Sequence, residues 1–332
     1  MLWEAMTAYI LRRILYLIPT FFGATFLAFL IIQLAPGDYL TQLELDPKVT
    51  PETIARLRSQ FGLDRPIHEQ YLLWMHNLLH LNLGYSFAYQ APVLDVIWPR
   101  VVNSMVIVVP STLLLFLVAI PVGVYGALRQ YSVGDRVISF LAYIGLAIPN
   151  FFLALIFMYL ILQVYFRTGV MVFPVSGMTS SGFEQFDSWK KILDIAWHAV
   201  IPIIVVTTSD IAGFSRVMRG QMLEVLSQDY IRTARAKGLA ERVVVYKHAL
   251  RNAVIPFVAN IGGILPGLIS GAGLVEVVMA WPGITPLLLD SLQQQDLYMV
   301  AGFLTIGLVL LMVGNLLSDL LLTWVDPRIR YE

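Results

Sequence analysis

The sequence predicts an all-α integral membrane protein with six transmembrane helices and both termini in the cytoplasm. The mean hydropathy is +0.74, and only 13% of the residues are charged, which is typical of a chain with several membrane spans. Apolar runs of about 20 residues or more, the length needed to cross a hydrocarbon core of about 30 Å, occur at six places. They are Ile10–Leu34, Val101–Leu128, Val137–Val164, Ala196–Val217, Val254–Trp281 and Tyr298–Trp324.

Composition excludes several other classes of protein. The formal net charge is zero, so no overall electrostatic attraction favours nucleic acid as a partner. The chain has no cysteine, which excludes disulfides, thiol catalysis and cysteine-ligated metals. The first apolar run is longer than a signal-peptide core and has no small-x-small cleavage site before Pro36. We therefore expect it to be retained as a membrane span.

The one sizeable polar region, about 35–100, follows the first span. Within it, Thr50-Pro51-Glu52-Thr53 is typical of a helix start, with the proline at the first helical position. The apolar residues around this start predict a small external helical cap and not an independent domain. We interpret 1–332 as one transmembrane domain that carries this cap and a cytoplasmic loop at 218–253.

Lysine and arginine residues in the short loops set the predicted orientation. With the N-terminus inside, the outer loops at about 167–194 and 282–297 hold few of the basic residues. Most basic residues on the outer side lie in the long region 35–100, which counts least, and the outer side carries most of the acidic residues. The inner segments hold Arg12, Arg13, Arg129, Arg136, Arg216, Arg219, Arg232, Arg235, Lys237, Arg242, Lys247, Arg251, Arg328 and Arg330. This bias places the loop between the fourth and fifth spans in the cytoplasm.

That cytoplasmic loop begins with a polar segment that the sequence specifies as a helix of about three turns. Ser227 is a candidate N-cap. Asp229 in the first turn and Arg235 and Lys237 in the last match the helix dipole, and Gly238 stands where a left-handed residue ends a helix. The residues of this predicted polar helix are Ser227, Asp229, Tyr230, Ile231, Arg232, Thr233, Ala234, Arg235, Ala236, Lys237 and Gly238.

Two interpretations of this helix are open from its pattern. Tyr230, Ile231 and Ala234 share one face, and Arg232 and Arg235 lie off it. One interpretation is a positively charged loop that lies on lipid headgroups. The other is a docking helix that inserts into a groove on a soluble cytoplasmic partner.

Several spaced motifs together resemble one protein family. The cytoplasmic loop contributes the run Tyr230–Leu239, then His248-Ala249-Leu250-Arg251-Asn252 and Pro256. The remaining motifs are Pro36-Gly37-Asp38, Phe61-Gly62-Leu63-Asp64-Arg65-Pro66, Gln70-Tyr71, Leu83-Gly84-Tyr85-Ser86, Ala280-Trp281-Pro282-Gly283, Asp319 and Asp326-Pro327-Arg328. In this order they resemble the dipeptide and oligopeptide ABC-importer permeases, and the resemblance covers nearly the whole chain.

The resemblance implies a permease subunit in the inner membrane of a bacterial cell. It implies as partners a second, similar permease chain, two cytoplasmic ATPases that bind ATP with Mg, and an external solute-binding protein. Peptides are the implied substrate, with nickel chelates, glutathione and sugar oligomers as alternatives among similar permeases. The resemblance also implies that the helix Ser227–Gly238 couples the ATPases to transport.

The residues agree that this chain is not itself an enzyme. It contains no Gly-x-x-x-x-Gly-Lys-Ser/Thr loop, so it is not expected to hold nucleotide phosphates, and we predict no directly bound cofactor or metal. The alternative function is a stand-alone secondary transporter or channel. That class requires inverted repeats or an ion-coupling site. The sequence shows no such repeats, and Asp210, the one candidate for proton coupling, has no basic partner in its span.

Two positions depart from the family pattern. Arg232-Thr233-Ala234 stand where the general permease loop has Glu-Ala-Ala, and Asp229 is the candidate replacement for the missing acid. Asn82 stands before Leu83-Gly84 where the peptide permeases tend to have an acidic residue. The second departure bears on the external segment, where His76 and His80 are also a weak candidate for a metal site.

The predicted fifth span is interrupted by glycine and proline. Glycine lets helices approach closely in lipid, and proline loosens the backbone where neighbours satisfy it again. Tight packing explains this composition, and so does a pore-lining helix, with Glu276 near its outer end as part of a gate. The predicted translocation-path residues are Gly263, Pro266, Gly267, Gly271, Glu276, Trp281 and Pro282.

Overall fold

The computed structural model describes residues 2–34, 40–41, 44, 49–60, 62–263, 267 and 272–325. Some residues singled out above lie outside this part of the chain, namely Pro36, Gly37, Asp38, Phe61, Pro266, Gly271, Asp326, Pro327, Arg328 and Arg330.

Helices make up most of the described chain. They are α1 Leu2–Leu34, α2 Pro51–Gln60, α3 Ile67–Leu79, α4 Val93–Leu128, α5 Val133–Ala147, α6 Asn150–Thr168, α7 Ser188–Leu226, α8 Asp229–Ala236, α9 Glu241–Val243, α10 Leu250–Ala253, α11 Ile255–Asn260, α12 Leu274–Val278, α13 Ile284–Gln293 and α14 Leu297–Val325. A π-helix covers Val244–Ala249, 3-10 helices cover Phe183–Gln185 and Ile261–Gly263, and a two-stranded hairpin pairs β1 Tyr85–Ser86 with β2 Ala91–Pro92.

Five helices of the described chain are long and apolar enough to cross a membrane: Leu11–Ile31 within α1, α4, α6, α7, and Leu297–Leu322 within α14. The sequence predicts one uninterrupted run over Val137–Val164, and the structure divides it into α5 and α6. The cause is Pro149, which has no N–H to donate and disfavours a helical conformation in the residue before it. Ile148 is accordingly extended, with φ −92° and ψ 118°.

The predicted fifth run is also not a continuous helix in the described residues. It begins as α11, tightens into the 3-10 turn Ile261–Gly263, and ends as the five-residue α12. The predicted helix start at Thr50-Pro51 is confirmed, since α2 begins at Pro51 and the Thr50 hydroxyl accepts from the Thr53 backbone N–H at 3.3 Å.

The chain forms two compact units, and the first contains residues 1–102 and 283–313. In this unit α3 packs on α1, where the Tyr71 hydroxyl donates to the Phe22 carbonyl at 3.1 Å. The β-hairpin is fastened by Asp296, which is fully buried and accepts from the Ser86 hydroxyl at 2.6 Å and from the Ala88 backbone N–H at 3.1 Å. The hairpin therefore folds onto the start of α14.

The second unit contains residues 103–282 and 314–330. Helices α4 and α7 approach closely in it, because a Cβ added at Gly123 would lie 2.5 Å from Cβ of Met218. Asp135, at the start of α5, is buried and accepts from both Nε and Nη2 of Arg219 on α7, at 3.1 and 3.0 Å. These contacts join α4 and α5 to α7 and position the loop that follows α7.

Candidate functional site: the polar helix and the broken segment

Helix α8 begins at Asp229, so its N-cap lies one residue later than the N-cap predicted from the sequence. Gln228 is extended and occupies the N-cap position, whereas Ser227 is helical and ends α7. The Ser227 hydroxyl donates to the Glu224 carbonyl at 2.7 Å. The prediction of Ser227 as N-cap is therefore wrong, because its side chain is used by the last turn of the preceding helix.

The predicted end of α8 is confirmed. Gly238 has φ +76°, and its backbone N–H donates to the Arg235 carbonyl at 2.9 Å. The next N–H, of Leu239, donates back to the Ala234 carbonyl at 3.4 Å. This pair of bonds is a Schellman motif, which needs a left-handed residue at the glycine position. The helix has eight residues, or just over two turns, and is shorter than predicted.

One face of α8 packs against its own chain. Ile231 is fully buried and Ala234 nearly so. Both join a hydrophobic cluster with Met218 and Met222 of α7 and with Val245 of the π-helix. Tyr230 adds a polar contact, because the Asn252 amide donates to its hydroxyl at 2.6 Å. The apolar residues on one face of α8 thus anchor the helix to α7 and to the π-helix.

The opposite face of α8 is exposed and charged. Arg232 and Asp229 form an exposed ion pair at 3.2 Å. Arg235 binds Glu241 through two hydrogen bonds, of 3.2 and 2.7 Å, and this hydrogen bonding lowers the pKa of the Glu241 carboxyl. Thr233, Ala236, Lys237 and Gly238 complete the exposed face. The surface that α8 presents outward is therefore polar and fixed by local contacts.

The sequence did not reveal the elements that support α8. The π-helix Val244–Ala249 buries Val244, Val245 and Ala249 against it, and such helices are rare and frequently found at functional sites. Glu241 and Asn252 hold its polar side chains. Asn252 was part of a family motif without an assigned role, whereas Glu241 had only its spacing of six residues from Arg235 to suggest a pair.

Hydrogen bonds to α4 hold the end of the predicted fifth span, which comprises α12 and the turn after it. Glu276 is fully buried, accepts from the Ser104 hydroxyl at 2.6 Å and accepts from the Ala272 backbone N–H at 3.1 Å. Trp281 is also buried, and its indole N–H donates to the Asn103 carbonyl at 2.9 Å. These bonds tie α12 and the following turn to α4.

The turn after α12 closes with a reciprocal bond. The Asn103 amide donates to the Pro282 carbonyl at 2.9 Å, so Glu276, Trp281 and Pro282 are all hydrogen-bonded to Asn103 or Ser104 of α4. Of the predicted path glycines, Gly263 is exposed and Gly267 is partly buried. The neighbouring Gly262 serves close packing, because a Cβ there would lie 2.7 Å from the Gly314 carbonyl oxygen.

A cavity of about 400 Å³ lies where the two interrupted runs meet. Pro149 and Asn150, at the break between α5 and α6, form part of its wall. Ser209 of α7 and Gly273, just before α12, form another part. Discontinuous helices whose ends meet near the middle of a membrane protein are typical of transport pathways. The cavity brings together residues that the sequence alone did not associate.

The fold and these two regions define a multi-pass helical membrane protein that presents a folded polar helix outside its spans. The chain belongs to the family of binding-protein-dependent transport system inner membrane components, whose model matches residues 119–331. A second model, for the N-terminal region of such membrane components, matches residues 6–109. The resemblance inferred from the motifs is therefore confirmed.

Curated relatives match over the full length of the chain. The oligopeptide transport system permease protein AppB of Bacillus subtilis (strain 168) is 41% identical over 98% of this chain and 100% of the relative. The dipeptide transport system permease protein DppB of Escherichia coli (strain K12) is 36% identical over 98% and 100%. The oligopeptide transport system permease protein OppB of Mycobacterium tuberculosis is 32% identical over 98% and 99%.

Proposed function

We propose that this chain is the transmembrane permease subunit of an ATP-driven importer of peptides, and that α8 couples ATPase closure to the membrane spans. The observation that carries the proposal is the two-sidedness of α8. Ile231 and Ala234 are packed into the core with α7, while the charged face is exposed. A helix so anchored transmits force applied to its outer face, as a rigid element in a domain motion does.

Six membrane crossings with both termini in the cytoplasm fit the order of the elements. Helices α1, α4, α7 and α14 supply four crossings. The interrupted pair α5 and α6 supplies the third crossing in the chain, and the broken segment from α11 to α12 supplies the fifth. An even number of crossings returns the C-terminus to the side of the N-terminus, in agreement with the distribution of basic residues.

The proposed partners follow from what the chain contains and from its relatives. No phosphate-binding loop occurs in the sequence, so ATP and Mg are held by two partner ATPases that α8 contacts. A second, similar permease chain completes the pathway. An external solute-binding protein delivers peptide to the outer loops, which include the cap at 35–100. The relatives' names, permeases of oligopeptide and dipeptide systems, support peptide as the substrate.

We place the translocation path at the interrupted helices. The cavity at Asn150, Ser209 and Gly273 lies along it, together with Gly263, Pro266, Gly267 and Gly271 of the broken segment. Glu276, Trp281 and Pro282 have a different part in this proposal. Their hydrogen bonds to α4 hold the outer end of the segment, so that the gate moves as one body with α4.

Two alanines of α8 provide the test, because Ala234 is buried and Ala236 is exposed. Ala236→Trp places a bulky ring on the docking face and leaves the core intact. In a reconstituted complex with its ATPases and binding protein, we expect ATP-driven peptide uptake to fall about tenfold or more, equivalent to about 1.4 kcal/mol of lost contact free energy. We expect ATP hydrolysis to continue without the stimulation by loaded binding protein.

Ala234→Trp is the matched variant, in which the ring enters the hydrophobic cluster and destabilises the subunit itself. Leu117→Trp, on the exposed side of α4, controls for the addition of a ring. Uptake and ATPase stimulation at the unmodified level in Ala236→Trp would contradict the role of α8. A complex that takes up no peptide in its unmodified form would contradict the substrate.

A further inference from the structure

A second cavity, of about 360 Å³, lies in the unit formed by residues 1–102 and 283–313. Phe29 and Gln33 near the end of α1 form one wall, Trp74 and Asn77 of α3 form another, and Tyr298 closes it from the start of α14. Its volume falls in the range of small-molecule sites, about 300–1,000 Å³. The proposed peptide path does not use it.

The described residues that line this cavity are all uncharged, but several are polar. Trp74 is buried, and among the described residues its indole N–H has no hydrogen-bond acceptor. A buried donor without an acceptor is destabilising. Asn82 uses its Oδ1 to accept from the Gly84 backbone N–H at 3.0 Å, and it adds an amide N–H group to the wall. The cavity therefore suits an uncharged ligand that brings hydrogen-bond acceptors.

The depth of the cavity is set by the helices that form it. The candidate span in α1 ends at Ile31, two residues before Gln33, and the candidate span in α14 begins at Leu297. Both helix ends line the same cavity, so it lies at the boundary between hydrocarbon and water. Tryptophan and tyrosine, here Trp74 and Tyr298, are the residues enriched at that level.

The surface around the cavity is apolar where it faces outward. On α3, Leu72 and Leu79 are about two-thirds exposed, and Leu81 just beyond the helix is more exposed still. Ile31 and Leu34 at the end of α1 are exposed to a similar degree. Large exposed apolar patches mark sites covered by membrane or partner. Because these leucines continue the apolar surface of a membrane span, the bilayer is the environment that covers them.

We propose that this cavity binds the glycerol-ester part of a membrane glycerolipid, in the leaflet that α1 reaches with its C-terminal end. An ester carbonyl oxygen of the lipid accepts from Trp74 Nε1 and from the Asn82 amide. The upper part of an acyl chain packs on Phe29 and Leu297, and the charged headgroup stays outside the uncharged wall. The bound lipid joins α1, α3 and α14 and so stabilises the cap region.

The test uses the purified full chain in nanodiscs of phosphatidylethanolamine and phosphatidylglycerol. The probe is phosphatidylethanolamine with a diazirine group close to the ester, and photolabelled peptides are identified by mass spectrometry. We expect labelling of the α3 segment. Trp74→Phe keeps the ring and removes the donor, so we expect labelling there to fall about fivefold, the factor that corresponds to about 1 kcal/mol. Trp98→Phe, at an exposed tryptophan of α4, is the matched control and is expected to change nothing.

Asn82→Asp is the second variant, and it decides the outcome if Trp74→Phe fails to fold. Aspartate still accepts from the Gly84 N–H but replaces the amide donor with a negative charge, so we expect the same loss of labelling. Equal labelling of α3 in the unmodified chain and in a folded variant overturns the proposal. Labelling of α3 by a diazirine peptide in place of the lipid also overturns it. Neither result depends on whether the complex transports peptide.

Discussion

Helix α8 precedes the interrupted fifth apolar run, and the segment Ala272–Pro282 contains the end of that run. Both are short, but different kinds of hydrogen bond hold them in place. The polar groups of α8 bind partners that are close in sequence: Asp229 binds Arg232 three residues away, and Arg235 binds Glu241 six residues away. The Glu276 carboxyl binds Ser104, 172 residues away. The first set of bonds is exposed, and the second is buried.

This difference indicates distinct roles for the two regions. Exposed local pairs shape a surface at little energetic cost, since such pairs contribute about 0–1 kcal/mol. A buried carboxyl group that accepts from two donors is different, because its removal breaks two buried hydrogen bonds at once. The segment Ala272–Pro282 is therefore a structural connection to α4, whereas the exposed face of α8 is available for contact with another protein.

Glu276→Leu is expected to lower stability more than any other variant considered for these two regions. The leucine removes the 2.6 Å acceptor of the Ser104 hydroxyl. It also leaves the buried Ala272 N–H without an acceptor among the described residues, at about 1–3 kcal/mol. We expect the unfolding midpoint of the detergent-solubilised chain, followed by tryptophan fluorescence, to drop clearly. Glu276→Gln retains an acceptor oxygen and should lose less than half as much. If both variants melt like the unmodified chain, the segment is not held by this carboxyl.

Tyr89 and Asp290 sharpen the comparison, because they are far apart in sequence but only partly buried. The Tyr89 hydroxyl donates to the Asp290 carboxylate. Burial, and then this hydrogen bond, raises the pKa of Tyr89 to about 12, above about 10 in an unfolded chain. Because the folded-state pKa is raised, the contribution of Tyr89 to stability is complete below about pH 10 and is lost as the pH rises towards about 12.

The measurement for this pair is the tyrosinate absorbance of the unmodified chain minus that of Tyr89→Phe. The difference should titrate with a midpoint of about 12. The same hydrogen bond lowers the pKa of Asp290, so the contribution of Asp290 is present above about pH 3.9 and disappears as the pH falls below it. A difference spectrum that titrates near the ordinary tyrosine value would contradict the hydrogen bond.

The same contrast explains what could be predicted from the sequence. The end of α8 at Gly238 and the start of α2 at Pro51 were predictable, because a left-handed glycine and an N-terminal proline act within one turn. The prediction of Ser227 as N-cap was wrong because its hydroxyl binds the last turn of the preceding helix, a choice that the local sequence does not settle. The bonds of Glu276 to Ser104 and of Trp281 to Asn103 depend on how distant helices pack, and no local pattern encodes them. Pro149 itself is evident in the sequence, but the long apolar runs on both sides of it led to the prediction of one uninterrupted span.

Arg235→Ala should have the smallest effect on stability. It tests whether the exposed pair on α8 contributes to the fold. The side chains of Arg235 and Glu241 are 43% and 58% exposed, so solvent screens their attraction. We expect a loss of about 0–1 kcal/mol, and Glu241→Ala should cost the same, with the double variant no worse than either. The measurement is again the unfolding midpoint in detergent. A loss in Arg235→Ala as large as that in Glu276→Leu would show that this exposed pair supports the fold, and the outer face of α8 would then be structural, as the segment Ala272–Pro282 is.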